Sequence, residues 1–146
     1  MTGTREPGGA RPPAEVYVDG TAIPLAPVAD LICSRYRVEF PDERERYGDA
    51  GEAWCRHDNQ WLLSWAVNDV LGATDLGEQV QWLARVLHAR DFPLDRLARD
   101  LEIAAEVVVS GALGYVSKSV AARLLLAAKT VAELHLAADP SPVRGS

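Results

Sequence analysis

The sequence predicts an all-α fold of about five helices, and three observations carry that prediction. Apolar residues recur at i, i+3, i+4 and i+7 through most of the chain after Pro27. Proline and glycine cluster between those periodic stretches, where they punctuate helices. Hydrophobic residues make up 48% and charged residues 25% of 146 residues, a balance that sustains one buried core and leaves little room for a second.

The elements follow in order. Residues 1–14 (MTGTREPGGARPPA) and 139–146 (DPSPVRGS) are rich in Gly and Pro and poor in apolar side chains, so both are expected to be flexible tails around a single domain at 15–138. Val16 and Val18 before Asp19-Gly20 form a small hairpin signal, with Pro24 restricting any partner strand to an edge. Helix one opens at Pro27, buries Val28, Leu31, Ile32 and Tyr36, and stops at Pro41. Residues Asp42 to Gly51 are charged and contain two glycines, which predicts a short helical turn or loop.

Helix two spans about Glu52 to Leu71. Cys55, Leu62, Ala66 and Val70 share one face, and Trp54, Asp58, Trp61, Trp65 and Asn68 an adjacent one. So wide an apolar arc implies burial on more than one side. Helix three starts at Asp75-Leu76-Gly77-Glu78, a capping-box pattern, and its core row is Leu76, Val80, Leu83 and Leu87. Pro93 separates it from helix four, whose buried stripe is Leu94, Leu97, Ala98, Leu101, Ala104, Ala105 and Val108. Asp95/Arg99 and Arg96/Asp100 are read as solvated i, i+4 pairs on its outer face. Gly111 and Gly114 end that helix, Ser117 is placed to cap the next, and an Ala/Leu-rich helix five runs to about Ala138.

Several function classes recede on composition alone. A formal net charge of −6 and interleaved acids and bases disfavour nucleic acid as a partner. Lys118, Arg123 and Lys129 interrupt the most apolar region well short of the roughly 20 residues that a membrane span needs. No apolar stretch follows Arg5 and Arg11, so a cytoplasmic location is expected, with Cys33 and Cys55 as reduced thiols. His57, His88 and His135 lie on separate predicted helices without metal-ligand spacing, and no metal site is expected. Phosphate-binding loops are missing from the sequence too.

Chemistry concentrates at Cys55-Arg56-His57-Asp58. Neighbouring helical positions diverge by about 100°, so neither Arg56 nor His57 is placed by spacing to activate the thiol, and no enzyme is expected. Trp54, Asp58, Trp61 and Trp65 do share a face. The tryptophans read first as core filling. Alternatively they wall a pocket in which aromatic faces sandwich a planar ligand and Asp58 accepts from its N–H groups. Trp82 lies off the core row of helix three, where it extends that pocket or exposes a patch for a protein partner or a second copy of the chain.

Glu45-Arg46-Tyr47-Gly48, Gly51, Cys55, Asp58 and Trp61-Leu62, followed by Val80-Gln81-Trp82-Leu83 and Arg90-Asp91-Phe92-Pro93, resemble bacterial helical domains of the globin-like and phycobiliprotein-like kind. Such domains accompany signalling or cobalamin-binding modules. The resemblance covers roughly residues 26–110 and implies a globin-like bundle with a regulatory or sensor-like role, acting through a protein partner or homodimer surface. Within it Cys55-Arg56-His57-Asp58 looks like the Cys-x-x-Asp segment of phycobiliproteins. That likeness implies a tetrapyrrole alternative, bilin or haem, in which Cys55 is the attachment thiol and Asp58 the pyrrole partner, with His57, Trp61, Trp65 and Trp82 around them. Two departures count against it: His57 stands where the family has an arginine, and Trp61-Leu62-Leu63 replaces a Tyr-His-Leu-like step. No Asp-x-His-x-x-Gly loop for cobalamin occurs.

Overall fold

The structure, a computed structural model, describes residues 10–138; residues 1–9 of the N-terminal tail expected at 1–14, and the C-terminal tail expected at 139–146, lie outside the described residues. A short hairpin precedes the helices. Strands β1 (Glu15–Val18) and β2 (Thr21–Pro24) pair antiparallel, with Val16 opposite Ile23 and Val18 opposite Thr21. Asp19 and Gly20 turn the chain at positive φ (49° and 77°), the conformation that an Asp-Gly hairpin turn requires. Alternation places Val16 and Val18 in the core and leaves Tyr17 exposed. The last residues of the expected N-terminal tail lie along the body: Pro13 accepts from Gln60, and Ala14 accepts from the amide of buried Leu25.

Five α-helices follow, α1 (Ala26–Glu39), α2 (Asp42–Val70), α3 (Leu76–Ala89), α4 (Leu94–Val107) and α5 (Ser117–Ala138). Helix α5 packs most extensively against α4, while α1 lies across α2 and α4, and α3 leans on α5 and α2. Alanines explain the closeness of α4 and α5, since Ala104, Ala105, Ala121, Ala127 and Ala128 all lie buried among Leu101, Val108, Leu124 and Val131. The core row predicted for α3 is buried throughout, and Asp75 caps that helix by accepting from the Glu78 amide at 3.2 Å.

Three expectations are corrected. Of the two readings for residues 42–51 the helical one holds and the loop does not: they belong to α2, which bends where Gly48 takes φ 64°, ψ −156°, a backbone state essentially reserved for glycine. Gly51 is needed beside the bend, because a Cβ there would meet Tyr47 Cβ at 2.5 Å. Ser117 caps nothing downstream; its hydroxyl accepts from the preceding Leu113 amide at 2.9 Å, closing the turn between α4 and α5.

The third correction concerns α4. Its expected solvated pairs do not form. Asp100 is buried and accepts from Asn59, whereas Arg96 crosses to the start of α2 and grips Asp42 and Glu43 at 2.9 and 3.0 Å. Arg99 takes Glu39 of α1 in a two-pronged pair at 2.6 and 3.0 Å. The reason is rotational, since position 100 follows Leu97 by three and precedes Ala104 by four, which puts it inside the buried arc.

Candidate functional site

Beyond its bend, α2 presents Trp54, Asp58, Trp61 and Trp65 at steps of four, three and four, one stripe along the helix. Helix α3 answers with Gln79, Trp82, Leu83 and Val86 at equivalent spacing. Between the stripes runs a groove of about 540 Å³, which Arg90 and Ala10 also line. The tryptophans are not among the buried core residues, although Trp65 packs against that core. They form a wall, with Trp61 and Trp65 stacked at 5.9 Å and 30°, and Trp82 edge-on to Trp65 at 6.5 Å and 81°. Trp82 is 52% exposed, so it lines the groove and marks its open rim.

Polar groups enter at one end. His57 Nδ1 lies 3.1 Å from Asp58 Oδ1; in the neutral tautomer that carries its proton on Nδ1, that nitrogen donates to the carboxylate and Nε2 is a lone-pair acceptor. Nε2 is buried and has no hydrogen-bond partner among the described residues. Burial pushes the pKa of Asp58 up from its ordinary value, and the His57 hydrogen bond and the nearby Arg90 only partly offset it. The Arg90 guanidinium stands over the Trp54 ring at 5.2 Å, a cation held on an aromatic face.

Five of the six residues singled out in the sequence thus converge on the groove: His57, Asp58, Trp61, Trp65 and Trp82. Cys55 does not. It turns the other way, towards a smaller cavity of about 70 Å³ between α1, α2 and α4, which Asp58 and Trp54 also border. There the Asn59 amide donates to Cys55 O at 2.9 Å and to Asp100 Oδ1 at 3.1 Å, with Cys55 Sγ at 3.4 Å and Cys33 Sγ at 3.7 Å. Both thiols are free.

A hydrogen bond with Cys33, then burial, then the nearby Asp100 charge push the Cys55 thiol well above its ordinary value, so little thiolate is available for nucleophilic attack. We expect an aqueous disulfide reagent to label neither cysteine in the native protein over a time in which both react in denaturant. Rapid native labelling that disappears in Cys55→Ala would show a reactive thiol instead.

Sequence reasoning missed Asn59, Asp100 and Arg90. Asn59 sits one position past the Asp58 stripe and carries no motif, and Asp100 resembled half of an exposed ion pair. The available signal was their helical phase: both fall on the buried side of α2 and α4. Arg90 follows Val86 by four on the groove stripe, which periodicity could have found. No protein-family model matches this chain, and neither a characterised protein nor a solved structure matches it.

Proposed function

We propose that this protein is a non-enzymatic, sensor-like helical domain of globin-like build, which takes a flat, largely apolar ring system in the tryptophan groove. A tetrapyrrole, bilin or haem, is the ligand class that the reading favours. The observation that carries it is the groove itself: its volume of about 540 Å³ falls within the roughly 300–1,000 Å³ of small-molecule pockets, and aromatic faces and a few convergent polar groups line it. Trp61 and Trp65 offer a stacked aromatic pair, Trp82 a third ring set at a steep angle to Trp65, Asp58 an acceptor for ring N–H groups, and Arg90 a partner for a ligand carboxylate.

The orphaned His57 Nε2 fits the same ligand class, because a buried acceptor without a partner is relieved by a donor or a metal brought by the ligand. When bound, a tetrapyrrole supplies a visible chromophore and, in metallated form, a metal that imidazole can ligate. Covalent attachment at Cys55 is not part of this reading, since that side chain lines the other cavity and its thiol is held protonated. In this reading the domain works in the cytoplasm with its thiols reduced. Among the described residues no helix is long and apolar enough to cross a membrane.

Titration of the purified protein with hemin and with biliverdin tests the groove. A stoichiometric visible band should appear with at least one of them, together with quenching of tryptophan fluorescence. Trp65→Ala should weaken binding by at least about tenfold, the loss of one stacking wall. Absence of both band and quenching with either compound would remove the groove from consideration.

A homodimer is the second reading, favoured by Leu125, Leu126 and Leu136, which are large apolar residues exposed on the outer side of α5. Sedimentation velocity should show a dimer that Leu126→Glu dissociates. A strict monomer at high concentration rules against it.

A further inference from the structure

The smaller cavity is lined by polar groups that the groove reading leaves unused. Among its lining residues Trp54, Asp58 and Phe92 are half-buried, whereas Asn59 and Asp100 are 2% and 7% exposed. Asn59 Nδ2 donates to Asp100 Oδ1 at 3.1 Å, but Asn59 Oδ1 is buried and has no hydrogen-bond partner among the described residues. A buried amide oxygen in that state lacks a donor, and the cavity that Asn59 borders is where one can be brought to it.

Charge is unbalanced at the same place. Burial, opposed in part by the Asn59 hydrogen bond and reinforced by the negative charges of Asp58 and Glu43, pushes the Asp100 carboxyl up to about 7. The neighbouring cations are engaged elsewhere. Arg96 lines the cavity but is paired with Asp42 and Glu43, while Arg90 and His57 bear on Asp58. A water molecule can donate to the Asn59 oxygen, yet it cannot neutralise Asp100.

The remaining lining is aromatic and aliphatic. Tyr47 and Phe92 have ring centroids 6.1 Å apart at 33°, and Trp54, Leu87 and Leu97 border the same space. Aromatic faces attract a cation and apolar side chains favour an alkyl group. The volume of about 70 Å³ is roughly five times what one buried water needs, which suits a ligand of about four or five non-hydrogen atoms. We propose that this cavity binds a small primary alkylammonium ion, whose N–H groups donate to Asn59 Oδ1 and to the Asp100 carboxylate while its short stem lies among Tyr47, Trp54 and Phe92. The class follows from three demands. The unpartnered oxygen requires a donor, which a quaternary ammonium lacks; Asp100 requires a positive charge, which an alcohol lacks; and the volume limits the stem. Asp100, costly to bury in the empty cavity, is the group that the ion needs. Trp54 and Asp58 border both spaces, but this site stands or falls without any ring in the groove.

The test is a chemical-shift titration of the isotope-labelled full chain with n-propylammonium chloride at pH 8. The side-chain amide signal of Asn59 should shift saturably with a Kd of roughly 0.1–10 mM, the range open to a ligand of so few atoms. Propanol, of similar size and uncharged, should give no saturable shift at the same concentrations. Tetramethylammonium, charged but without an N–H, should bind at least about tenfold more weakly than propylammonium. Asp100→Asn, which removes the charge and keeps the shape, should weaken propylammonium binding by at least about tenfold, with a dispersed spectrum showing that the variant is folded. Absence of saturation overturns the proposal, as does equal binding of propanol or tetramethylammonium, or undiminished binding by folded Asp100→Asn. The ligand comparisons use the unaltered chain, so they decide the matter even where the variant does not fold.

Discussion

Asp100→Asn should stabilise the protein at pH 8 by up to about 4 kcal/mol, with the gain shrinking as the pH is lowered towards 4. The carboxyl is pushed up to about 7 in the folded chain, mainly by burial, against an ordinary value of 3.8. Its folded value is raised, so the native state binds the proton more tightly than the unfolded chain does. The stability contributed by that proton is fully present below the unfolded value and is lost as pH rises through the folded one. The decline therefore occupies the window from about pH 4 to about pH 7 and levels off above it. Asparagine is close to isosteric, can keep the bond from Asn59 Nδ2 and presents its own N–H to the unpartnered Asn59 Oδ1. Urea denaturation midpoints at pH 5 and pH 8 measure the difference. A variant less stable than the parent at both values would mean that the folded chain requires an ionised Asp100.

Arg96→Ala is the counterpart in which a charge is removed from a pair that needs it, and it should destabilise the fold by about 3 kcal/mol or more. Arg96 is 17% exposed in its side chain and Glu43 only 11%, so water cannot replace the lost cation at Glu43. Tyr36 also donates to Glu43, and Arg96 stacks over Phe40 at 4.6 Å, so one guanidinium holds the end of α1, the start of α2 and the flank of α4 together. Arg44 supplies the control. It too meets two acids, Asp49 and Glu52, but is 67% exposed, and its replacement by alanine should change stability by less than about 1 kcal/mol. Comparable losses for the two variants would show that Arg96 acts as an ordinary surface charge. Adding Glu43→Gln to Arg96→Ala should recover part of the loss, because the stranded charge is then gone.

The bend in α2 links these effects to the groove. Residues 42–47, before Gly48, are tied to α1 and α4 by Glu43 and Asp42, and the rest of the helix carries the groove residues. At its far end Asp69 accepts from the Leu76 amide at 2.7 Å and pairs with Arg123 of α5, fixing where α3 begins relative to α2. The width of the groove depends on these two anchors, since Trp61 and Trp65 stand on one helix and Trp82 on the other.

Much of this was legible in the residues. Helical period located α1, α3, α4 and α5 and the buried row of α3, because a single apolar stripe marks one face whatever lies opposite. Asp19-Gly20 announced the hairpin, since that dipeptide tolerates the positive φ the turn demands. The stripe Trp54, Asp58, Trp61, Trp65 was likewise visible in spacing alone.

What spacing could not tell was which side of each stripe would meet another helix. Period fixes the relative directions of side chains on one helix, but the neighbours of that helix are set by the packing of all five. That packing turned the tryptophans outward onto a groove with α3, carried Cys55 to the opposite cavity, drew Asp100 from an apparent surface pair into the interior, and sent Arg96 across to a partner more than fifty residues away. Local periodicity is a property of the chain by itself; burial, and with it the proton on a carboxyl, is a property of what the chain is packed against.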